Sequence, residues 1–212
     1  MISPSPFDFD AMRIPTAYRH CDFDSFQPQN DRAAAVMAMI QNYTNSRRWI
    51  IICGPASGIG KTHLAVSALL RAWTTDLYVP KYSSDGSSKK RRPDLYCFTA
   101  GRELGENLDA AGANLQVYRD SILTRQRDFD HMPIRSLLID ELGREPERAR
   151  SRVETIIDVC FSKKIQLIAT SNFSPDQLKR AYDPAIIRRL VDRGSIFNAD
   201  WPPPPSHSEI HK

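Results

Sequence analysis

The fold of this 212-residue chain is decided by RRWIIICGPASGIGKTHLAVSALLRAW, residues 47–73. The first part, 47–54, is a short, solidly apolar run that ends in glycine, which is typical of a buried parallel strand. From Gly60 onward the apolar residues recur at helical spacing. A glycine-rich turn between a buried strand and a helix is the context that favours a phosphate-binding loop.

The turn itself predicts how phosphates would be bound. Its backbone N–H groups and the helix N-terminus should point at phosphate oxygens, Lys61 should reach the β- and γ-phosphates, and the Thr62 hydroxyl should bind Mg²⁺. The strict motif spacing puts its first glycine at position 55, where this chain has Pro55, so we expect a loop one residue longer than standard. The predicted nucleotide contacts are Gly54, Pro55, Ala56, Ser57, Gly58, Ile59, Gly60, Lys61 and Thr62.

A second apolar run, Leu137-Leu138-Ile139, ends in Asp140 and Glu141. In the Walker B arrangement the first acid holds Mg²⁺ through its water shell and the second polarises the attacking water. We therefore predict Asp140 as a metal ligand and Glu141 as a catalytic residue. Two acids at a strand end can also open a solvated helix, but their position after a phosphate-binding loop favours catalysis.

A third buried strand, 165–170, is followed by Ser171 and Asn172. Lying beside the Walker B strand, Asn172 would orient the water against the γ-phosphate, which makes it the third catalytic candidate. The alternative is a turn-forming asparagine that opens the next helix.

An arginine pair lies in the segment IIRRLVDR, residues 186–193. An arginine supplied across a subunit boundary can neutralise charge on a transferring phosphoryl group, and we assign that role to Arg189. Arg188 and Arg193 are the other candidates. A basic helix face on the surface is the alternative interpretation.

Strands and helices alternate along the chain, which predicts an α/β fold. We expect a P-loop NTPase of the AAA+ type: a mainly parallel, five-stranded sheet sandwiched by helices, without a C-terminal lid domain. Helical segments are predicted at 101–111 and 115–129, and an exposed loop at 80–94. The predicted organisation is a flexible lead-in at 1–13, an ATPase domain at 14–198 and a disordered Pro-rich tail at 199–212.

Composition sets the broad class. The net charge of +4 permits nucleic-acid binding without demanding it. No apolar run is long enough to span a membrane, and the N-terminus lacks the features of a secretory signal, so we expect a cytoplasmic protein without a membrane partner. The cysteines form no C-x-x-C pair and are predicted to be reduced thiols: Cys21, Cys53, Cys97 and Cys160.

Taken together, the motifs resemble the DnaC/IstB family of AAA+ ATPases, which includes replicative-helicase loaders and transposition helpers. The resemblance covers about residues 14–198. It rests on GKTHLA (60–65), LLIDELGRE (137–145), TSN (170–172), IIRRL (186–190) and the lead-in IPTAYRHCDFDSF (14–26).

The resemblance implies an ATPase that uses ATP and Mg²⁺, assembles into an ATP-dependent oligomer and binds single-stranded or duplex DNA. Its protein partner would be a replicative helicase or, alternatively, a transposase. It adds His63 to the nucleotide contacts, places Ile14, Tyr18 and Phe23 near the adenine, and nominates Arg102, Arg119 and Arg125 for DNA. Because acidic residues are interspersed with these arginines, a solvated helix face is an equal alternative for them.

Two other functions remain open at this point. A small-molecule kinase could use the same loop, but it would need an acceptor pocket and a mobile basic lid. A nucleotide-gated DNA-binding switch could result from the altered loop spacing. Glu141 and Asn172 favour water as the acceptor and therefore favour hydrolysis.

Overall fold

The computed structural model describes residues 4–77, 96–127 and 130–202. The strands are β1 (Trp49–Cys53), β2 (Tyr96–Ala100), β3 (Thr124–Arg127), β4 (Asp130–Pro133), β5 (Ser136–Asp140), β6 (Gln166–Ser171) and β7 (Gly194–Asn198). The helices are α1 (Pro6–Ala11), α2 (Asp31–Asn45), α3 (Lys61–Leu77), α4 (Gly101–Ala111), α5 (Leu115–Leu123), α6 (Arg150–Ser162), α7 (Pro175–Ala181) and α8 (Pro184–Arg193). In these ranges no helix is both long and apolar enough to cross a membrane.

Five strands form one parallel sheet in the order β2-β5-β6-β1-β7. Helices cover both faces, because successive residues of a strand point to opposite sides. Ile50 and Ile52 pack with α2 and α3, whereas Ile51 packs with α4, α6 and α8. The predicted fold class is therefore confirmed, and β6 lies between the strand before the glycine-rich loop and the strand before Asp140.

The N-terminal segment differs from the predicted flexible lead-in. Ser5 caps α1 in a capping box with Asp8, which satisfies the first N–H groups of the helix. Met12 is fully buried, and its carbonyl accepts a hydrogen bond from the Phe98 N–H of β2 at 2.9 Å. Residues 4–13 are thus part of the folded domain, because their apolar side chains extend its core.

The chain after β7 also packs where a disordered tail was predicted. The Ala199 N–H donates to the carbonyl of Cys53, which continues the pairing between β7 and β1. Trp201 is 2% exposed, and its indole N–H donates to the Ile59 carbonyl at 3.0 Å. Residues 199–202 therefore pack against β1 and the glycine-rich loop. Residues 203–212 lie outside the described residues.

The helix predicted at 115–129 is shorter than expected. It ends at Leu123, and β3 then pairs with β4 in an antiparallel hairpin in which Arg125 lies opposite Met132. The helical period of the sequence extended into a segment whose backbone is paired as a strand. The predicted loop at 80–94, including its KKRR block, lies outside the described residues.

Replacement of Trp201 by Phe tests the support of the loop by the C-terminal segment. The change leaves the buried Ile59 carbonyl without its donor, which should lower the free energy of unfolding by ~1–3 kcal/mol. Trp49→Phe is the matched control, because its indole N–H donates to the Ile165 carbonyl at the opposite end of the strands. Urea unfolding should show similar losses, whereas ATP affinity should fall only for Trp201→Phe. An equal effect of both variants on ATP affinity would contradict the proposed support.

Candidate active site

Close backbone approaches shape the glycine-rich loop. Gly60 has φ +90, and a Cβ there would lie 2.5 Å from the Phe26 ring, so only glycine fits. At Gly54 a Cβ would lie 2.1 Å from the Ala199 carbonyl oxygen. Packing of the segment after β7 therefore accounts for a glycine at position 54, one residue ahead of the standard motif spacing.

Lys61 lies in the mouth of this loop. Its ammonium group donates to the carbonyl oxygens of Gly54, at 2.9 Å, and Ala56, and the residue is 7% exposed. Burial lowers the pKa of Lys61, while the charges of nearby acidic groups oppose this shift. The structure thus places the Lys61 ammonium group among the carbonyls of the glycine-rich loop, and its binding of phosphate stays a prediction.

Asp140 is the centre of the polar network at the carboxyl ends of the strands. Its Oδ1 accepts hydrogen bonds from the hydroxyls of Thr62, at 2.9 Å, and Thr170, at 2.6 Å. Burial raises the pKa of Asp140, and the two hydroxyl hydrogen bonds partly offset that effect. Thr62 and Asp140 thus supply adjacent oxygen donors, the ligand type that Mg²⁺ prefers.

Glu141 is held in a conformation that few non-glycine residues adopt. Its φ is +58, in the left-handed region, and its N–H donates to the Thr170 hydroxyl at 2.8 Å. Its Oε1 accepts from the Asn172 amide at 3.0 Å. The geometry therefore joins the two residues predicted to orient the water, and a strained backbone of this kind is common at functional sites.

Lys61, Thr62, Glu141, Thr170 and Asn172 line one cleft of about 380 Å³. Tyr18, His20 and Cys21, from the segment before α2, line the same cleft. Burial raises the pKa of Tyr18, and the charges of Asp140 and Glu141 act in the same direction. The lining residues are Ala17, Tyr18, His20, Cys21, Ser57, Gly58, Gly60, Lys61, Thr62, His63, Glu141, Thr170 and Asn172.

The lead-in residues expected near the adenine have different environments. Tyr18 lines the cleft, with its ring 6.1 Å from that of Phe98. Ile14 is 1% exposed and belongs to the core, and Phe23 packs against the same core. Of the three, Tyr18 alone is among the residues that line the cleft.

The candidate arginine fingers lie on α8, away from the lining of this cleft. Arg189 forms an ion pair with Asp158 and lies over the Phe161 ring at 5.5 Å from its centroid. Arg193 contacts the same ring at 4.7 Å, while the Arg188 side chain is 83% exposed. A role for Arg189 at a neighbouring subunit stays a prediction.

Two of the three candidate DNA contacts, Arg102 and Arg119, are paired with acidic side chains. Arg102 donates to Glu106 at 2.8 Å, one turn along α4, and Arg119 lies 3.5 Å from Asp120. The Arg102–Glu106 pair, at i,i+4 and exposed, is typical of a solvated helix face. Arg125 belongs to the β3–β4 hairpin and not to a helix.

Sequence reasoning missed two supporting residues. Thr170 links Asp140 to the backbone of Glu141, yet only Asn172 of its motif was assigned a role. Glu145 is 3% exposed and accepts from the Gly143 N–H at 2.8 Å and from the Tyr182 hydroxyl. It fixes the turn after β5, and the charged residues around it, Arg144 and Glu147, give no sign in the sequence that Glu145 is buried.

Replacement of Asp140 by Asn should stabilise the metal-free protein. Burial raises the pKa of Asp140 in the folded protein, so protonation of this group favours the folded state. This contribution to stability is complete below the pKa of an unfolded carboxyl, about 3.9, and is lost as the pH rises through the pKa of the folded state. Near neutral pH the variant, which keeps an oxygen for both hydroxyls, should have a higher Tm in the presence of a chelator. The gain should shrink as the pH falls toward about 4.

Asp192→Asn, at an exposed carboxylate on α8, is the control for the Tm measurement and should give little change. If Asp140→Asn leaves the Tm unchanged near neutral pH, the buried charge of Asp140 does not cost stability, contrary to this account.

Comparison with known proteins relates the fold to replication proteins. No protein-family model and no curated protein matches the chain. Among solved structures, the chain is similar to the DnaC helicase loader, with 16% identity, a TM-score of 0.62 and coverage of 87% of this chain and 99% of that one. It is also similar to DnaI, with 12% identity, a TM-score of 0.62 and coverage of 90% and 93%.

A third similar structure is the replication initiator DnaA bound to AMPPCP and single-stranded DNA. The identity is 18%, the TM-score is 0.56, and the match covers 89% of this chain and 51% of that one. Identities this low relate folds and not activities. The chain therefore shares its fold with DnaC, DnaI and the matched part of DnaA.

Proposed function

We propose that this protein hydrolyses ATP with the help of Mg²⁺ at the cleft below the glycine-rich loop. The observation that carries the proposal is the hydrogen-bonded network of Thr62, Asp140 and Thr170, next to the paired Glu141 and Asn172. It combines a metal-ligand pair with a base and an amide at one edge of the sheet. Phosphoryl transfer depends mostly on such positioning and electrostatic stabilisation.

Each group has one task in the proposed reaction. Lys61 binds the β- and γ-phosphates, and Thr62 and Asp140 are the residues that would hold Mg²⁺. A bound metal ion would neutralise negative charge on the phosphate oxygens. Glu141 accepts the proton of the attacking water, and Asn172 keeps the Glu141 carboxylate and the water aligned.

Pairing of Glu141 with Asn172 supports water as the acceptor. A kinase must exclude water and bind a second substrate, whereas this carboxylate is oriented by an amide and is itself partly solvated, with a side-chain exposure of 41%. A switch with negligible turnover would have little need for this pair. We therefore favour ATP hydrolysis over both the kinase and the switch.

We further propose that the protein assembles on DNA in its ATP-bound form and loads a partner, with a replicative helicase as the first candidate. The likeness in fold to a helicase loader and to DnaI supports this proposal, as does the exposed basic helix α8. Delivery of target DNA to a transposase is the alternative. In either case Arg189 would exchange Asp158 for the γ-phosphate bound by a neighbouring subunit.

Glu141→Gln tests hydrolysis separately from binding. The amide keeps the shape of the side chain but cannot accept a proton, so turnover should fall at least ~100-fold while ATP affinity is retained. Lys61→Ala should instead lose ATP binding, because the loop loses its cation. Binding is measured with a fluorescent ATP analogue, and turnover by phosphate release. Unchanged turnover in Glu141→Gln would remove it from the role of base.

Arg189→Ala tests the shared active site. The variant should bind ATP as the parent does but lose the part of turnover that depends on protein concentration, by a factor on the order of 10³ if Arg189 is a true finger. Arg188→Ala is the matched control on the next position of α8. Loss of that turnover in Arg188→Ala, with Arg189→Ala behaving like the parent, would transfer the role to Arg188.

A further inference from the structure

Three side chains that can bind a metal ion lie together in the lining of the cleft, next to the start of α3. One ligand atom from each of His20, Cys21 and His63 lies within 4.8 Å of the other two. The Cys21 Sγ is 3.9 Å from the Nε2 of His20. His20 and Cys21 belong to the segment before α2, and His63 to the first turn of α3, so the cluster joins two separate parts of the chain.

The donor set selects the class of metal. A thiolate with two imidazoles favours Zn²⁺ over Mg²⁺ or Ca²⁺, which prefer oxygen ligands. In a tetrahedral zinc site the sulfur and nitrogen ligands are about 3.5 Å apart, given bond lengths of ~2.3 and ~2.0 Å. The Cys21–His20 separation is close to this value, and the His20 and His63 rings lie edge to face with their centroids 6.0 Å apart.

Hydrogen bonds already orient the third ligand. The Nε2 of His63 lies 2.8 Å from the carbonyl oxygen of Asp22, which can only accept, so Nε2 carries the proton and the neutral ring has its lone pair on Nδ1. A carbonyl that accepts from the second ring nitrogen is the usual outer-shell partner of a metal-bound histidine.

The loop that carries the other two ligands is fixed as well. The Ser25 N–H donates to the Asp22 carboxylate at 2.6 Å, and the Ser25 hydroxyl donates to the His20 carbonyl at 3.1 Å. These bonds close a turn over residues 20–25, and the edge of the Phe26 ring packs against His63 with centroids 5.4 Å apart. The backbone that carries the three ligands is therefore held before any metal binds.

We propose that His20, Cys21 and His63 form a Zn²⁺ site with three protein ligands and a fourth position open to the cleft. Binding replaces the proton of the Cys21 thiol with the S–Zn bond and releases that proton to solvent, so affinity increases with pH. The metal ion would fasten the segment before α2 to α3 along the wall of the cleft. The three ligands line the same cleft as the proposed ATPase site, but the test does not depend on hydrolysis, because metal binding is measured without nucleotide.

The ordinary alternative is a small apolar thiol that happens to lie near two histidines. Cys21 is 3% exposed, and burial raises its pKa to about 11, as expected for a core cysteine. The two interpretations differ in whether the Cys21 sulfur binds an added metal ion, and in whether replacement of a histidine lowers the affinity for that ion.

The test titrates the full chain, after treatment with a chelator, with Co²⁺ as a spectroscopic substitute for Zn²⁺. The parent should bind one Co²⁺ per chain, with a sulfur-to-cobalt charge-transfer band and the intense visible bands of tetrahedral coordination, and Zn²⁺ should displace it. Cys21→Ser should lose the charge-transfer band. His20→Ala, at an exposed position, should weaken binding at least ~10-fold.

Cys160→Ser is the matched control. Cys160 is fully buried on the other face of the sheet and does not belong to the group of His20, Cys21 and His63. It should keep the parent spectrum. A parent spectrum without the sulfur band, or a Cys21→Ser spectrum and a His20→Ala affinity both equal to those of the parent, would overturn the proposal.

Discussion

The site depends above all on the carboxylate of Asp140, which accepts hydrogen bonds from two threonine hydroxyls. Thr62 belongs to the helix after β1, Asp140 ends β5, and Thr170 lies near the end of β6 between them. One buried oxygen thus ties together three elements that are far apart in sequence. A buried carboxylate without hydrogen-bond partners costs stability. The need for both hydroxyls therefore fixes how Thr62, Asp140 and Thr170 lie relative to one another.

The parallel sheet brings these groups together, because its strands all end at one edge. Strand β6 separates the loop after β1 from the acids after β5, so the reactive groups converge from both sides of one strand. Thr170 then uses its hydroxyl twice, donating to Asp140 and accepting from the Glu141 N–H. The strained backbone of Glu141 is held by this bond, so the position of the catalytic carboxylate follows directly from the position of the metal-binding carboxylate.

The sequence predicts the parts of the structure that rest on local pattern. Apolar runs predict β1, β2, β5 and β6, and the ends of these strands lead to Lys61, Asp140, Glu141 and Asn172. The sequence does not predict β7 or the β3–β4 hairpin, because these segments are not apolar runs. What it does not predict depends on contacts between distant segments: the burial of Met12 against β2, the Trp201 bond to the loop and the double role of Thr170. Gly54 is informative, since its position departs from the motif and the reason is a carbonyl at residue 199.

The most direct test of this account is steady-state ATP hydrolysis as a function of protein concentration, with and without single-stranded DNA. If the cleft hydrolyses ATP and a neighbouring subunit completes it, the rate per subunit should rise with concentration and rise further with DNA. A rate per subunit that stays constant and ignores DNA would contradict the shared site. Tight ATP binding with no turnover under any of these conditions would contradict the assignment of Glu141 and Asn172 to hydrolysis.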